Sequence, residues 1–145
     1  MDAIRVKKVR ENAIIPTYGS AEAAGADLYA CLECAVTIQP GETAWIPTGI
    51  ALEVPKGCAG LIYARSSLGT KRGLAPANKV GVVDSDYRGE IQVVLYNHSP
   101  LPQTVENGER IAQFLITPIL TPAYTEVAEL TDTQRGAGGF GSTGA

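Results

Sequence analysis

The sequence predicts an all-β domain, and two observations carry that prediction. Its 145 residues include 16 glycines and 9 prolines, which recur about every eight to twelve positions and leave no uninterrupted window for a helix of three turns. Short apolar runs lie between them, and several alternate with period two, as half-buried strands do. We therefore expect a jelly-roll-like β-barrel or sandwich with at most one very short helix, placed after Ser66, and a flexible C-terminal arm.

The predicted strands follow the apolar runs along the chain. In the run over residues 90–97, for example, Ile91, Val93 and Leu95 fall on one face with period two, the pattern of a strand that packs one side against a core. Hydroxyl side chains mark the start of the single helical turn at Ser66, where a strand ends. In chain order the predicted strands are 4–9, 26–31, 36–38, 43–46, 50–54, 60–64, 80–83, 91–97, 110–116 and 123–127.

Length and charge limit the classes of function. The chain has the size of one ordinary domain, which we divide into a β-domain over 1–130 and a glycine-rich arm over 131–145. Twelve Lys and Arg against fifteen Asp and Glu give a net charge of −3, without the basic excess that nucleic-acid binding uses. The first eight residues include four charges, where a signal peptide needs an apolar run. No segment approaches the ~18 apolar residues of a membrane span. We expect a cytoplasmic protein with neither nucleic acid nor membrane as partner.

Cysteine and histidine are too few for most metal and redox chemistry. Cys31, Cys34 and Cys58 are an odd number, and the spacing of the first two lacks the βαβ context of a redox motif. His98 is the single histidine, so His-based zinc sites are excluded, and its place at a strand end favours a solvated side chain. Any metal should therefore be a hard cation held largely by the substrate.

The most informative segment is 78–90, which predicts a hairpin with a polar tip. Asp84 directly follows the apolar run 81–83, so its carboxylate should sit at the mouth of the fold, where it could orient and deprotonate a water. Gly89 ends the tip and is able to take positive φ. The alternative interpretation is a solvated turn whose charges serve only solubility.

Three further segments carry weaker signals. Arg65 precedes Ser66 and Ser67 at the predicted helix start, an arrangement that suits an anion, although capping alone would also explain it. Asp27 and Gln113 each lie inside a predicted strand and gain meaning only if the fold brings them to one cleft.

The last eleven residues combine an arginine, an aromatic ring and hydroxyls on a glycine-rich backbone. By composition alone they form a flexible tail, and an absence of function is as compatible with that composition as a function. The same side chains offer a fork for phosphate, a flat stacking surface and exposed N–H donors. We predict a lid that orders over a nucleotide.

Taken in order, these five segments resemble the five motifs of the trimeric dUTPase family, and the resemblance spans nearly the whole chain. The matching segments are 24–28, 65–68, 81–89, 108–113 and 135–144. The resemblance implies hydrolysis of dUTP to dUMP and pyrophosphate with Mg²⁺, which limits uracil in DNA and supplies dUMP for thymidylate. It also implies a homotrimer in which residues of different subunits complete each active site.

The resemblance implies roles for individual residues as well. Asp84 matches the carboxylate that activates the attacking water, Asn78 matches the side chain that reads uracil, and Tyr87 matches the ring beneath the deoxyribose. The backbone at Gly81 and Gly89 supports the base. The remaining matches are Phe140 over the uracil, Asp27 on metal-bound water, and Arg65, Ser66, Ser67, Gln113, Arg135, Gly141, Ser142 and Thr143 on the phosphates.

Two alternatives stay open at this point. Ser67 stands where many family members have glycine, and the run 65–68 also resembles the dCTP deaminases of the same fold. Their deaminating glutamate lies three residues before the asparagine that closes the second strand, and counting back from Asn97 gives Val94. The other alternative is a nucleotide-sensing module that binds without turnover.

Overall fold

The fold is described for residues 3–142 by a computed structural model. Within these residues, strands alternate with turns in the order that the glycines and prolines predict. The strands are β1 (Val6–Lys8), β2 (Thr17–Tyr18), β3 (Ala26–Tyr29), β4 (Val36–Ile38), β5 (Thr43–Pro47), β6 (Ile50–Leu52), β7 (Cys58–Tyr63), β8 (Leu74–Pro76), β9 (Gly81–Val83), β10 (Gln92–Asn97), β11 (Gln103–Val105) and β12 (Arg110–Pro118).

Four antiparallel sheets enclose one core. The largest has the strand order β2-β3-β12-β7-β9, a second has the order β5-β10-β8, and the pairs β11-β4 and β1-β6 complete the set. The sheets are open, so the arrangement is sandwich-like and not a closed barrel. The predicted all-β class is confirmed.

The core lies between the inner faces of these sheets. Ile91, Val93 and Leu95 are each at most 2% exposed, which confirms the face predicted for this run. Packing is close enough that a Cβ on Gly60 would lie 2.2 Å from the Phe114 ring. The Phe114 ring of β12 can lie across β7 at this point because residue 60 has no side chain.

The single helical segment of the described residues is Ser67–Arg72, where the sequence predicts it. Gly73 ends it in the left-handed conformation, with φ 69°, and donates its N–H to the carbonyl of Leu68, a π-type bond. Leu68 is buried and anchors the turn to the core. No helix in this part of the chain is long and apolar enough to cross a membrane.

One predicted strand is wrong. Residues 123–127 form no strand, and residues 119–142 contain neither helix nor strand and are exposed throughout. Leu120 and Tyr124 are 94% and 97% exposed, because no strand among residues 3–142 covers them. Three short strands were not predicted, namely β2, β8 and β11, since two or three residues carry no readable period.

The cysteines and the histidine have the environments of ordinary structural residues. Cys31 is buried, Cys34 is exposed and Cys58 is half-buried, and all three are free thiols. His98 is exposed, as predicted, and its backbone N–H donates to the Gly73 carbonyl at 2.8 Å.

Candidate active site

A cleft of about 260 Å³ opens between β9 and the start of β10. Four residues predicted to bind base or sugar or to activate water lie together in it, and we call it the base cleft. They are Asn78, Gly81, Asp84 and Tyr87, and the wall also includes Trp45 and Glu90. Trp45 is 70% exposed on β5 and was missed because an aromatic in an alternating strand indicates packing first.

The segment around the base cleft is not the hairpin that the sequence predicts. β9 pairs with β7, whereas β10 pairs with β5 and β8. Residues 84–91 therefore cross from one sheet to another. Gly89 is not among the glycines with positive φ, so the backbone reason predicted for this glycine is wrong.

Gly89 is needed for the packing of Tyr87. A Cβ on Gly89 would lie 2.4 Å from the Tyr87 hydroxyl oxygen, so the phenol covers the glycine backbone. The hydroxyl donates to the Glu90 carbonyl at 3.0 Å. Tyr87 is 45% exposed and presents the rest of its ring to the cleft.

Asp84 stands at the mouth of the base cleft. It follows Val83, which is buried, while its own side chain is exposed. The Asp84 carbonyl accepts a hydrogen bond from the Tyr87 N–H at 3.2 Å, which closes a tight turn. The turn directs a carboxylate outward beside the Tyr87 ring.

Asn78 enters the cleft from a strained turn. Lys79 has φ 67°, a region that β-carbons disfavour, and the Val80 N–H donates to the Asn78 carbonyl at 2.7 Å. The Asn78 amide nitrogen would lie 3.5 Å from a Cβ on Gly81. Strain of this kind is typical of functional positions. Here the strained turn orients the Asn78 amide, which is predicted to read the base.

A contact across 80 residues of sequence fixes Glu90 behind the cleft. The Arg10 guanidinium donates from Nε at 2.6 Å and from Nη2 at 3.1 Å to the two carboxylate oxygens, and the Gly49 N–H donates to one of them at 2.9 Å. The hydrogen bond from Arg10 lowers the pKa of Glu90, and the same contact raises the pKa of Arg10. No local signal in the sequence pairs these residues.

A second cleft, of about 230 Å³, collects residues predicted to bind phosphates, and we call it the phosphate cleft. Its wall includes Asp27, Arg65, Ser66, Arg110 and Gln113. Asp27 on β3 and Gln113 on β12 are direct register partners. The fold therefore brings these two residues to one cleft, which the sequence analysis required before either could be assigned to a site.

Two arginines hold Asp27. Arg65 Nε lies 2.8 Å from one carboxylate oxygen and Arg110 Nη1 lies 3.3 Å from the other. Arg110 was missed, because an arginine that opens a strand usually points to solvent. The pairs hold the Arg65 fork in one orientation at the cleft wall.

Gln113 and the serines complete the wall. Gln113 donates to the Ala64 carbonyl at 2.8 Å, and a Cβ on Gly25 would lie 2.9 Å from its Oε1. Ser66 makes no capping hydrogen bond through its side chain, so capping does not explain this hydroxyl. Ser67 accepts a bond of 3.3 Å from Arg65 Nη1 and lines the adjoining concavity.

The C-terminal residues predicted to close the site lie outside both clefts. Arg135, Phe140, Gly141 and Ser142 are exposed and line neither cleft, and Thr143 lies outside the described residues. Their contacts are local turns, such as the bond of 3.1 Å from the Gly138 N–H to the Arg135 carbonyl.

The donors of the phosphate cleft fit a cation that is held through water and substrate. Among residues 3–142, no three His, Cys, Asp or Glu side chains cluster closely enough to hold a metal. Asp27 already accepts one arginine on each oxygen, but a carboxylate oxygen has two lone pairs. It can therefore still accept a hydrogen bond from a metal-bound water.

Comparisons with known sequences and structures all find proteins of one family. The sequence model of the dUTPase family matches residues 11–144. A deoxyuridine 5'-triphosphate nucleotidohydrolase of Hydrogenobaculum sp. is 48% identical over 139 residues, 96% of each chain, and one of Nautilia profundicola is 48% identical over 141 residues, 97% of this chain and 98% of its own. The solved dUTPase of Staphylococcus bacteriophage 80alpha with dUPNHPP is similar at TM-score 0.91 and 28% identity, over 100% of both chains.

Proposed function

The chain belongs to the dUTPase family and is an enzyme of dUTP hydrolysis, and from that premise we propose that Asp84 activates the water that attacks the α-phosphorus. The observation that carries the proposal is the position of the Asp84 carboxylate at the mouth of the base cleft, beside Asn78, Gly81 and Tyr87. A base must lie within reach of both water and substrate, and a nucleoside seated in this cleft would present its phosphates at the mouth.

The reaction needs one bond made and one broken. The water oxygen bonds to the α-phosphorus while its proton passes to the Asp84 carboxylate. The bond from that phosphorus to the α–β bridging oxygen breaks, and pyrophosphate leaves with the bond's electrons. Because phosphoryl transfer depends on positioning and charge stabilisation more than on covalent help, the exposed carboxylate and a few donors are sufficient.

Recognition of the nucleoside would rely on exclusion. The Asn78 amide can donate to and accept from the uracil edge, while the close backbone around Gly81 leaves no room for the methyl group of thymine. The Tyr87 ring, fixed over Gly89, would pack beneath the deoxyribose and reject a 2′-hydroxyl. A filled volume discriminates by the cost of a clash.

The triphosphate would lie along the phosphate cleft. Arg65 offers a fork of donors, Gln113 would lie near the α-phosphate, and Ser66 and Ser67 offer hydroxyls. When bound, Mg²⁺ supplies positive charge that neutralises the phosphate oxygens in the transition state. Substrate phosphates would hold the ion, and Asp27 would order its water shell.

The C-terminal arm would complete the site from outside. We propose that Phe140 stacks over the uracil and that Arg135, Gly141, Ser142 and Thr143 reach the γ-phosphate. The aromatic side chain of Phe140 is fully exposed, so a stacking partner would remove apolar area from water.

We propose a homotrimer with shared active sites, since the base cleft and the phosphate cleft have no lining residue in common. Mixing two inactive variants tests this. Asp84→Asn and Arg65→Ala chains are unfolded and refolded together at equal amounts. A mixed trimer then holds one site with both intact residues, and about a quarter of the wild-type activity should return. Sites built within one chain would give no recovery.

Substrate and products are tested directly. The protein is incubated with Mg²⁺ and each of dUTP, dCTP, dTTP and UTP, and pyrophosphate and ammonia are followed together. Pyrophosphate from dUTP alone is the expected result, and it fits a role in limiting uracil in DNA and supplying dUMP. Ammonia from dCTP would overturn the proposal, and tight binding without product would point to a nucleotide sensor.

A further inference from the structure

Glu90 lies on the wall of the base cleft and its side chain receives three hydrogen bonds. Glu90 receives the two-pronged hydrogen bond from Arg10 at 2.6 and 3.1 Å and the Gly49 N–H at 2.9 Å. We call this contact the Arg10–Glu90–Gly49 clamp. A two-pronged arginine–carboxylate bond fixes orientation as well as distance, so the clamp sets where the Glu90 backbone lies.

The anchor of the clamp is rigid. Gly49 has φ 70°, and a Cβ there would lie 2.7 Å from the Ala13 Cβ and 2.8 Å from the Cys31 sulfur. Its carbonyl accepts the Val9 N–H at 2.8 Å. Gly49 is thus enclosed by the core on one side and hydrogen-bonded on the other to the segment after β1 that carries Arg10. Gly49 and Arg10 therefore cannot move independently of each other.

The next residue is locked as well. The Ile91 N–H donates to the Ile50 carbonyl at 2.8 Å, and the buried Thr48 hydroxyl donates to the Ile91 carbonyl at 2.6 Å. Ile91 itself is 2% exposed. The chain therefore follows a fixed path along the cleft wall, held through the side chain of Glu90 at one residue and by Thr48 and Ile50 at the next.

Glu90 in turn fixes the sugar-facing ring. The Tyr87 hydroxyl donates to the Glu90 carbonyl at 3.0 Å, and the ring covers Gly89, between them in the chain. A change in the Glu90 backbone therefore moves the hydroxyl acceptor and the ring with it. Displacements of about 1 Å at a reacting site alter rates by up to about a hundredfold.

We propose that Arg10 and Glu90 are positioning residues that set the discrimination between deoxyribose and ribose by holding the Tyr87 ring in place. The inference rests on the proposed function, since it requires that Tyr87 faces the sugar. Arg10 and Glu90 act through the ring and need not touch the nucleotide.

The test compares kcat/KM for dUTP and for UTP in four variants at one protein concentration. Glu90→Gln keeps the side-chain shape and an acceptor for the Gly49 N–H but loses the charge. Arg10→Met removes the guanidinium fork, whereas Arg10→Lys keeps one charged donor. The double variant Arg10→Met/Glu90→Gln reports the coupling between the two residues. Arg5→Gln is the matched control. It breaks the exposed pair with Glu53, 3.4 Å away, at the opposite end of the same β1–β6 ladder.

In the single variants Glu90→Gln and Arg10→Met, we expect the UTP to dUTP ratio to rise about fivefold, with Arg10→Lys in between and the double variant no higher than either. Arg5→Gln should leave the ratio unchanged. A fall in thermal midpoint with an unchanged ratio in folded variants would overturn the positioning role. If the wild-type protein itself fails to hydrolyse dUTP, the proposed function fails instead, so the two failures are distinguishable.

Discussion

The loop 84–90 and residues 135–142 of the C-terminal arm are both polar, glycine-containing segments predicted to build one active site. They differ in how the protein holds them. The loop is tied at both ends: Val83 before it and Ile91 after it are buried, and Glu90 is clamped to Arg10 and Gly49. The described residues of the arm, 131–142, are exposed throughout, and their contacts are local turns.

The two segments differ in whether substrate binding must first order them. A fixed loop presents its carboxylate and ring without an ordering cost when substrate arrives, which favours discrimination and chemistry. Residues 131–142 of the arm are exposed to solvent, so the ligand or a neighbouring subunit must order them, which suits closure over a bound nucleotide. Variants of the loop should alter chemistry and selectivity, and variants of the arm should alter the bound state.

The largest effect is expected at the loop's carboxylate. Asp84→Asn should lower kcat by about a thousandfold or more while dUTP binding is kept, because the amide fills the same volume but takes no proton. Quenched-flow rates and calorimetric binding measure the two quantities separately. Asp132→Asn, which neutralises an exposed carboxylate of the arm to which no role is assigned, is the control. Normal turnover in Asp84→Asn would remove the proposed base.

Deleting residues 135–145 tests the other side of the comparison. We expect kcat/KM for dUTP to fall about a hundredfold, because the lid is lost, while the thermal midpoint shifts by less than about 2 °C. Circular dichroism melts and steady-state rates measure the two effects at matched protomer concentration. A drop of many degrees would show that the arm stabilises the fold, and the contrast with the loop would disappear.

Selectivity gives a smaller effect. Tyr87→Ala should raise kcat/KM for UTP relative to dUTP by about tenfold, because the vacated volume admits a 2′-hydroxyl. Tyr124→Ala removes a 97% exposed ring from the segment before the arm and should leave the ratio unchanged. An unchanged ratio in Tyr87→Ala would place sugar discrimination outside the loop.

The sequence predicts these regions unequally well, for physical reasons. Period two in an apolar run is a local property, so the buried face of Ile91, Val93 and Leu95 can be read directly. The run over 123–127 is apolar at three of its five positions and still forms no strand, because a strand needs a partner that the sequence does not specify. Asp84 and Tyr87 belong to one local motif of the family that the sequence resembles, and that resemblance predicts that they share a cleft.

Contacts between distant segments left no such signal. Arg10 and Glu90 are 80 residues apart, and Arg110 and Asp27 are 83 apart, so neither pairing follows from spacing or composition. The conformation of Gly89 was mispredicted for a related reason. Its lack of a side chain serves the Tyr87 ring and not the backbone, and a glycine in a turn does not reveal which of the two it serves.

The smallest expected effect is a pH dependence confined to the clamped loop. The pKa of Glu90 is lowered, chiefly by the hydrogen bond from Arg10, so the ionised carboxylate is favoured in the folded chain. This contribution to the free energy of unfolding is complete above the unfolded glutamate pKa of about 4.3 and is lost as the pH falls through the lower folded value. Thermal midpoints of the wild type should therefore decline more steeply below about pH 4.5 than those of Arg10→Met, in which only the Gly49 N–H still opposes the effect of burial on the Glu90 pKa. Removal of residues 135–145 should leave the slope unchanged, because the arm holds no part of the clamp. Equal slopes for wild type and Arg10→Met would show that the loop, like the arm, gains nothing from its charges.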